Sequence, residues 1–316
     1  MKDAIVPRAV NPFSCLVVAI LSHRRFAHRL AVFAIGTVAC LIATPGPAAT
    51  PGVAASDIVP HRAIYRLSLL SAHSSSAVAD VTGAMMFQWA DACDAWTVEQ
   101  HFDMDFVYTE GDEVHMTTSY ATWEAKSGDH YRFNMRKTVN GDLDEDVRGE
   151  AATDPRKGGT VHLDKPESGD QSLAAGTLFP TQHTLVLLEQ ALAGEHFLAR
   201  TVFDVADVEG PSEISAVIGK RTTLKDGVGG TVDARERPSR DVLIADAKRD
   251  NRLLSGAAWP VRLAFFPVKS DNSSPEYEMS MLLLHNGIAE AMQIDYGDFT
   301  VNAVLETLEP LPKSGC

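Results

Sequence analysis

The chain has 316 residues, of which 45% are hydrophobic and 22% are charged, and its formal net charge is −14. The first 55 residues carry a net charge of +4, so the rest of the chain carries −18. This length is typical of one large globular domain or two small ones. A domain this acidic repels phosphate backbones and anionic membrane surfaces, which argues against nucleic-acid binding and against electrostatic attachment to membranes.

The N-terminal segment 1–55 is predicted to be a signal peptide with an extended N-terminus. Basic residues at 24–29 precede an apolar run at 30–43, and small residues and prolines follow. That order is typical of bacterial secretory signals, and the apolar run is short for a membrane span. Residues 56–316 are therefore expected to form one mature domain in the periplasm, with an uncleaved anchor as the alternative.

The cysteines predict one disulfide bond. The chain has Cys15, Cys40, Cys93 and Cys316, and signal cleavage removes the first two. In an oxidising compartment the remaining pair favours an intramolecular bond. Two free thiols, or a dimer joined through Cys316, are the alternatives. The intramolecular bond would close a loop of more than two hundred residues, which the chain-entropy model values at about 4–5 kcal/mol.

Most of the chain after residue 57 shows the alternation of apolar and polar residues that is typical of β-strands. Asn140-Gly141, Asn286-Gly287 and Gly297 mark tight turns between successive strands. The first half is expected to be an antiparallel meander with little helix before residue 175. The segments predicted as strands are 61–70, 78–90, 96–108, 113–125, 130–139, 142–151, 161–163, 196–205, 212–220, 259–268, 275–287, 288–297 and 298–311.

One helix is predicted at residues 180–193. Pro180 or Thr181 begins it and Gly194 ends it. We expect this helix to cover one face or one opening of the sheet. The side chains predicted to share its apolar face are Leu185, Leu188, Ala191 and Leu192. The later segment 223–251 is polar and rich in glycine and aspartate, and is predicted to be a long loop or insertion.

The resulting fold class is mainly β: a large antiparallel sheet, curled into a spiral or a partly open barrel, with one main helix. Helices and strands do not alternate, which argues against a parallel α/β sheet. A curled sheet can leave a concave apolar face that binds a hydrophobic ligand. If side chains fill that space, the protein is instead a structural scaffold. The candidate ligand-binding residues, each also compatible with ordinary core packing, are Phe87, Phe102, Phe106, Trp123 and Phe265.

No motif of a known catalytic, cofactor or metal site is present in the sequence, and no cofactor is predicted. G-x-S-x-G, H-E-x-x-H and C-x-x-C are missing, and the histidines are scattered. Asp142, Asp144 and Asp146 alternate as in a calcium loop but lack its glycine, so they are assigned to a solvated strand face. Asp295 and Asp298 flank a turn that they are expected to cap. The alternative is an envelope hydrolase that uses these carboxylates and a nearby histidine.

Short motifs follow one another along the mature chain. In order, they are Phe179-Pro180-Thr181-Gln182-His183, Ile218-Gly219-Lys220, Trp259-Pro260-Val261, Pro275-x-Tyr277-Glu278 and Ile294-Asp295-Tyr296-Gly297-Asp298-Phe299. Together with Cys93 and the terminal Cys316, they resemble the EipB family of cell-envelope integrity proteins, formerly a domain of unknown function. The resemblance covers residues 57–316, and its motifs mark the family rather than a catalytic site.

The resemblance implies a soluble periplasmic protein with a spiral-like β-sheet and a helix, similar to periplasmic lipoprotein carriers. It also implies a disulfide between Cys93 and Cys316. The expected role is non-enzymatic support of the cell envelope under stress. The expected partners are a periplasmic tetratricopeptide-repeat protein and a lipid or lipoprotein component of the envelope. The insertion around residues 225–252 departs from the family pattern.

Overall fold

The computed structural model describes residues 58–205, 210–225, 228–229, 251–268 and 274–316. The predicted signal peptide lies outside these residues, as does most of the predicted loop at 223–251. Within them the chain forms sixteen strands, helix α1 (Pro180–Ala193) and a 3-10 helix (Asn251–Leu254). The strands are β1 (His61–Ala72), β2 (Val78–Ala92), β3 (Ala95–Tyr108), β4 (Glu113–Ala125), β5 (His130–Val139), β6 (Asp142–Asp154), β7 (Gly158–Lys165), β8 (Gly169–Leu173), β9 (Phe197–Val202), β10 (Ser212–Ile218), β11 (Thr222–Lys225), β12 (Val228–Gly229), β13 (Gly256–Pro267), β14 (Tyr277–Leu284), β15 (Ala289–Asp295) and β16 (Phe299–Pro310).

All sixteen strands belong to one antiparallel sheet. Strands β1 to β8 form a meander in which each strand pairs with the next. Strand β1 also pairs with β16, so β16, β15, β14 and β13 continue the sheet on the other side of β1. Strand β13 then pairs with both β11 and β10, and β9 pairs with β10. The predicted mainly-β fold is confirmed, and the sheet is not closed into a barrel.

The turns explain why successive strands pair as neighbours. Asn140 and Gly141 have φ values of 52° and 87° and connect β5 to β6, as the Asn-Gly pair predicts. Gly297, with φ at 83°, lies between β15 and β16, as predicted. At the other Asn-Gly pair only Gly287 has positive φ, and residues 285–288 form a longer loop between β14 and β15.

Helix α1 has the predicted bounds, and Gly194 ends it in the left-handed conformation with φ at 82°. The predicted apolar face is only partly right. Leu192 is exposed, whereas Leu187 is buried in its place. Leu187 is buried because neighbouring elements cover more than a narrow stripe of the helix. Leu192 is exposed because it lies in the last turn, where residues 192–197 are all exposed. The buried residues of α1 are Thr181, His183, Leu185, Leu187, Leu188 and Ala191.

Strands β8, β11 and β12 were not predicted. Strand β8 pairs only with β7 and is largely exposed, so its sequence needs no apolar alternation. Strand β11 occupies the start of the segment predicted as a loop, because it pairs with the first residues of β13. Strand β12 also lies in that segment and pairs with β11. The loop prediction is therefore wrong for residues 223–225 and 228–229.

The predicted disulfide between Cys93 and Cys316 is present, with a Cα–Cα distance of 5.9 Å across a sequence separation of 223. Cys93 lies in the turn between β2 and β3 with φ at 65°. Its backbone N–H donates to the Ser314 hydroxyl at 3.1 Å. The C-terminal tail is thus held against the β2–β3 turn, and neither alternative for these thiols applies.

The sheet has an inner face, which packs against α1 and the segments around it, and an outer face, which alternate residues turn to solvent. In β5, for example, Tyr131, Phe133 and Met135 are buried, while Arg132 and Asn134 are exposed. The inner side chains form one continuous hydrophobic core. In the part of the chain that the structure describes, no helix is both long and apolar enough to cross a membrane.

Candidate functional site

The five aromatic residues predicted to bind a ligand are divided between the two faces of the sheet, and their role in binding stays a prediction. Phe106 and Phe265 belong to one aromatic cluster, which Phe299, Tyr296 and Tyr277 connect. Phe102 and Phe106 are buried on the inner face, and Phe87 and Phe265 lie there half-buried. Trp123 lies on the outer face, in line with exposed neighbours of β4. Each inner ring packs against different partners: Phe102 with Tyr120, Phe106 with Phe299, Phe265 with Tyr277, and Phe87 with His61 and Trp89.

The inner face instead holds a buried polar network at the start of α1. Phe179, the N-cap residue, provides no side-chain hydrogen bond to the helix. The carboxylate of Glu124, from β4, takes this role and accepts the backbone N–H groups of Thr181 at 2.7 Å and Gln182 at 2.8 Å. Gly128, in the β4–β5 turn, has no Cβ and so lets the Gln182 side chain approach closely. The turn and the helix start are therefore locked together.

One further carboxyl group, from Asp204, and one hydroxyl group, from Tyr131, lie beside this cap. Tyr131 donates its hydroxyl hydrogen to Asp204 at 2.7 Å, and the Val205 N–H donates to the same oxygen. Burial raises the pKa of Glu124 to about 7, although its two backbone hydrogen bonds act in the opposite sense. Burial also raises the pKa of Asp204 above its ordinary value. Both carboxyls are therefore held in a setting that favours their protonated forms.

His183 is the third titratable group near the helix start. It is buried, and its Nε2 atom has no hydrogen-bond partner. Burial, with a smaller effect of the Arg200 charge, lowers the pKa of His183 to about 4. The imidazole is therefore neutral at physiological pH, as expected for a histidine packed in a core.

The network has little room for a substrate. The cavity lined by Tyr131, Thr181 and Asp204 has a volume of about 60 Å³. That is space for only a few water molecules. Buried carboxyls with raised pKa values can mark acid–base sites, but such sites also need access to a reacting molecule. The arrangement therefore acts as a structural cap that joins the helix to the sheet.

Three of the acidic residues considered as alternatives have structural contacts. The Asp295 carboxylate accepts the Gly297 N–H at 2.9 Å, as a turn cap does. The backbone carbonyl of Asp298 accepts the His73 N–H at 2.8 Å, so a cap by its side chain stays a prediction. Asp144 and Asp146 lie near the start of β6 and pair with Lys137 and Lys165. Within the described residues, no group of three or more His, Cys, Asp or Glu side chains is arranged to hold a metal ion. In the same residues, no contact of Asp295 supports the hydrolase alternative.

The outer face carries a groove of about 720 Å³ that crosses strands β3 to β7. Two neighbouring cross-strand rows of side chains form the groove. The side chains at the centre of the second row are smaller than those of the first. The first row, in register order, is Thr97, Trp123, Arg132, Glu150 and His162. The second row is Glu99, Ala121, Asn134 and Arg148. The small side chains at the centre of the second row leave a depression beside the indole of Trp123.

The two arginines of this outer groove are held loosely. The guanidinium of Arg132 lies over the Trp123 ring, 5.0 Å from its centroid. Its Nε atom is 3.8 Å from a Glu150 oxygen, and the Arg148 Nε is 3.7 Å from an Asp164 oxygen. More than half of each of these four charged side chains is exposed. Loose, exposed pairs of this kind contribute little to stability and are open to a ligand.

The groove residues were missed at the sequence level, except for Trp123. A signal was present in the strand 113–125, where Trp123 shares its parity with Thr117, Ser119 and Ala121. A tryptophan on a polar face is unusual for core packing and indicates a surface site. The same alternation puts Glu124 on the apolar face, which predicts a buried carboxylate that needs hydrogen-bond donors.

Comparisons with known proteins agree with this architecture. The cell envelope integrity protein EipB of Brucella abortus (strain 2308) is 29% identical over 275 residues, which cover 85% of this chain and 91% of that protein. A crystal structure described as a beta-barrel-like protein of domain of unknown function DUF1849, also from Brucella abortus, superposes with a TM-score of 0.67 at 28% identity. It covers 81% of this chain and 99% of the other.

The profile of a family described as EipB-like matches residues 53–312. This range includes Cys93, helix α1 and all five strands of the outer groove, and it ends four residues before Cys316. The chain therefore belongs to the EipB-like family, and the Brucella abortus protein that it resembles is named a cell envelope integrity protein.

Proposed function

We propose that this protein supports cell-envelope integrity in the periplasm by binding other envelope components, without catalysing a reaction. Membership of the EipB-like family supports the envelope role. The signal-like N-terminus and the disulfide support a location in an oxidising compartment. In this proposal the curled sheet is a rigid frame, and its outer groove is the contact surface.

The observation that carries the proposal is the contrast, within the described residues, between the inner face at the start of α1 and the outer groove. At the helix start the inner face packs against α1 and leaves a pocket of about 60 Å³, whereas the groove offers about 720 Å³. A lipid chain on this part of the inner face would have to displace α1. A ligand in the outer groove needs no such movement.

The resemblance to the EipB family suggests two binding partners. A periplasmic tetratricopeptide-repeat protein is the proposed protein partner. A lipid or lipoprotein component is the proposed hydrophobic partner, and the half-buried rings of Phe265, Tyr277 and Tyr296 at one end of the inner face are its best support.

The proposal is tested by complementing a strain that lacks the gene with groove variants under detergent stress. Trp123→Ala and Arg148→Ala are expected to fail to restore growth, although their abundance and melting temperature stay close to those of the unchanged protein. Arg66→Ala is the matched control, because Arg66 is an exposed β1 arginine paired with Glu306 outside the groove. It is expected to restore growth. Full restoration by both groove variants would contradict the proposal.

A further inference from the structure

The outer groove has one wall that is aromatic and apolar. The chain has four tryptophans, and Trp89, Trp96 and Trp259 are buried. Trp123 is half-exposed and lies between Thr97 and Arg132 in its row. Its indole is a flat apolar surface on an otherwise polar face, so it suits a ligand that has a flat apolar side of its own.

The depression beside this wall comes from the register of the strands. Ala121 lies opposite both Glu99 and Asn134. Its methyl group is too short to fill the space between the larger side chains around it. Neighbouring strands lie about 4.8 Å apart, so a groove across five strands is about 19 Å long. An elongated ligand several rings long fits this shape better than a compact one.

The charges along the groove alternate in sign. Arg132 and Arg148 are flanked by Glu99, Glu150 and Asp164, so neither guanidinium faces the groove without a carboxylate beside it. A strongly anionic ligand such as a phosphate would meet these carboxylates, and a cationic one would meet the guanidiniums. The ligand that the charge pattern favours is uncharged and carries many groups that both donate and accept hydrogen bonds.

A ligand rich in hydroxyl groups can also use the loosely held ion pairs of the groove as hydrogen-bond partners. Guanidinium N–H groups donate and carboxylate oxygens accept, and Asn134 does both. A hydroxyl group can join either kind of partner. Because Arg132 and Glu150 are 3.8 Å apart and exposed, Arg132 can leave the Trp123 ring and donate to a ligand that takes its place on the indole.

We propose that the outer groove binds an uncharged oligosaccharide, with the C–H face of one sugar ring stacked on Trp123 and its hydroxyls bound by Arg132, Arg148, Asn134 and the flanking carboxylates. This inference rests on the proposed function, since it names the envelope component that the groove contacts. Two sources have this chemistry: chains of N-acetylated amino sugars and chains of plain hexoses.

The test is calorimetric titration of the purified protein with two neutral tetrasaccharides, tetra-N-acetylchitotetraose and cellotetraose, which distinguish the two sources. Tetragalacturonate and tetra-alanine are the anionic and peptide comparisons. Binding is followed in parallel by tryptophan emission, because Trp123 is the half-exposed indole among four. At least one neutral tetrasaccharide is expected to bind saturably and to shift the emission to shorter wavelength.

Three variants locate the site. Trp123→Ala is expected to weaken binding about tenfold or more, since an aromatic stacking contact of about 1.4 kcal/mol corresponds to that factor. Trp123→Phe keeps a ring and is expected to retain most of the affinity. Arg66→Ala, outside the groove, is expected to bind as the unchanged protein does.

The inference is overturned if neither neutral tetrasaccharide binds at millimolar concentration, if only tetragalacturonate or tetra-alanine binds, or if Trp123→Ala binds as tightly as the unchanged protein. These results differ from a failure of the proposed function. Groove variants that lose activity in cells while no saccharide binds would overturn this inference alone. Groove variants that retain activity in cells would overturn the proposed function.

Discussion

The two faces of strands β3 to β7 are built from alternate residues of the same segments, yet they differ in almost every physical property. On the inner face, Tyr131 stacks on Phe179 with ring centroids 5.1 Å apart, and Phe133 packs against Phe203 at 5.7 Å. On the outer face, Trp123 lies among charged and exposed side chains. A shift of one residue along a strand thus exchanges a position in the core for a position in the outer groove.

The carboxylates of the two faces also differ in burial and in how firmly they are bound. Glu124, on the inner face, is buried, and its two oxygens accept two backbone N–H groups of α1. Glu150, on the outer face, is about two-thirds exposed and meets Arg132 only loosely. The inner carboxylate is thus committed to the fold, whereas the outer one is free to exchange its partner. The predictions below test this division.

Opening the disulfide is expected to have the largest effect on stability and to leave the outer face intact. Cys316→Ser should lower the free energy of unfolding by about 4–5 kcal/mol, because the unfolded chain loses a very long closed loop. Urea unfolding measures this. Ser314→Ala is the control, since it leaves the disulfide in place and removes only the Ser314 hydroxyl, which accepts the Cys93 N–H and also bonds the Asp91 carboxylate. It should cost about 1 kcal/mol. Equal losses in the two variants would argue against the loop as the cause.

Truncating an inner aromatic ring is expected to cost nearly as much. Phe179 is fully buried against Tyr131. Phe179→Ala should lower the free energy of unfolding by about 3–5 kcal/mol, through lost burial and a residual cavity. Phe197→Ala, at a phenylalanine that is 62% exposed, is the matched control and should change stability by about 0.5 kcal/mol or less. Thermal or urea unfolding of both variants makes the comparison.

The buried carboxylate predicts a pH dependence that belongs to the inner face. The folded state binds the Glu124 proton more tightly than the unfolded state, because its pKa rises from 4.5 to about 7. The stability that this proton contributes is present at low pH and is lost as pH rises through that window. Asp204, with its raised pKa, acts in the same sense. His183 acts oppositely, since its stability contribution is lost as pH falls from 6.5 to about 4.

Glu124→Gln isolates the Glu124 contribution. Relative to the unchanged protein, this variant should gain stability steadily as pH rises from about 4.5 to about 7, because it has no proton to lose. Urea midpoints at several pH values give the difference. Glu99→Gln, on the outer face, is measured alongside it. If both variants show the same pH-dependent difference, burial of Glu124 is not its origin.

The smallest effect is expected on the outer face. Trp123→Ala should lower the free energy of unfolding by less than about 1 kcal/mol, since it removes a half-exposed ring and one exposed cation–π contact with Arg132. The circular dichroism spectrum should stay unchanged. A loss as large as that of Phe179→Ala would mean that Trp123 belongs to the core, and the division between the faces would fail.

Much of the local structure could be predicted from the sequence. The alternation in β2 to β6, the turn at Asn140-Gly141 and the bounds of α1 depend on neighbouring residues, so they are visible in the chain itself. Strand β8 and strand β11 could not be predicted, because their pairing partners, rather than their own composition, make them strands. Leu192 was placed wrongly because the helix period does not say how wide a face its neighbours cover.

The candidate site shows the same limit. The sequence singled out Trp123 as an aromatic residue with a binding role, but it grouped this residue with inner-face phenylalanines. Its parity with Ala121 could have separated them, since alternate residues of a strand point to opposite faces. The depression itself requires Ala121 to lie between Glu99 and Asn134, and these residues come from three different strands.

Patterns in the chain were enough to predict an antiparallel sheet with one helix, a bond between Cys93 and Cys316, and a resemblance to the envelope integrity family. These features arise from short-range patterns, or from residue types that have few alternatives. The face that α1 covers, the cap that Glu124 provides and the groove that Trp123 borders became visible only in the folded structure. Each of these depends on strand register and on contacts between distant segments, which no local pattern specifies.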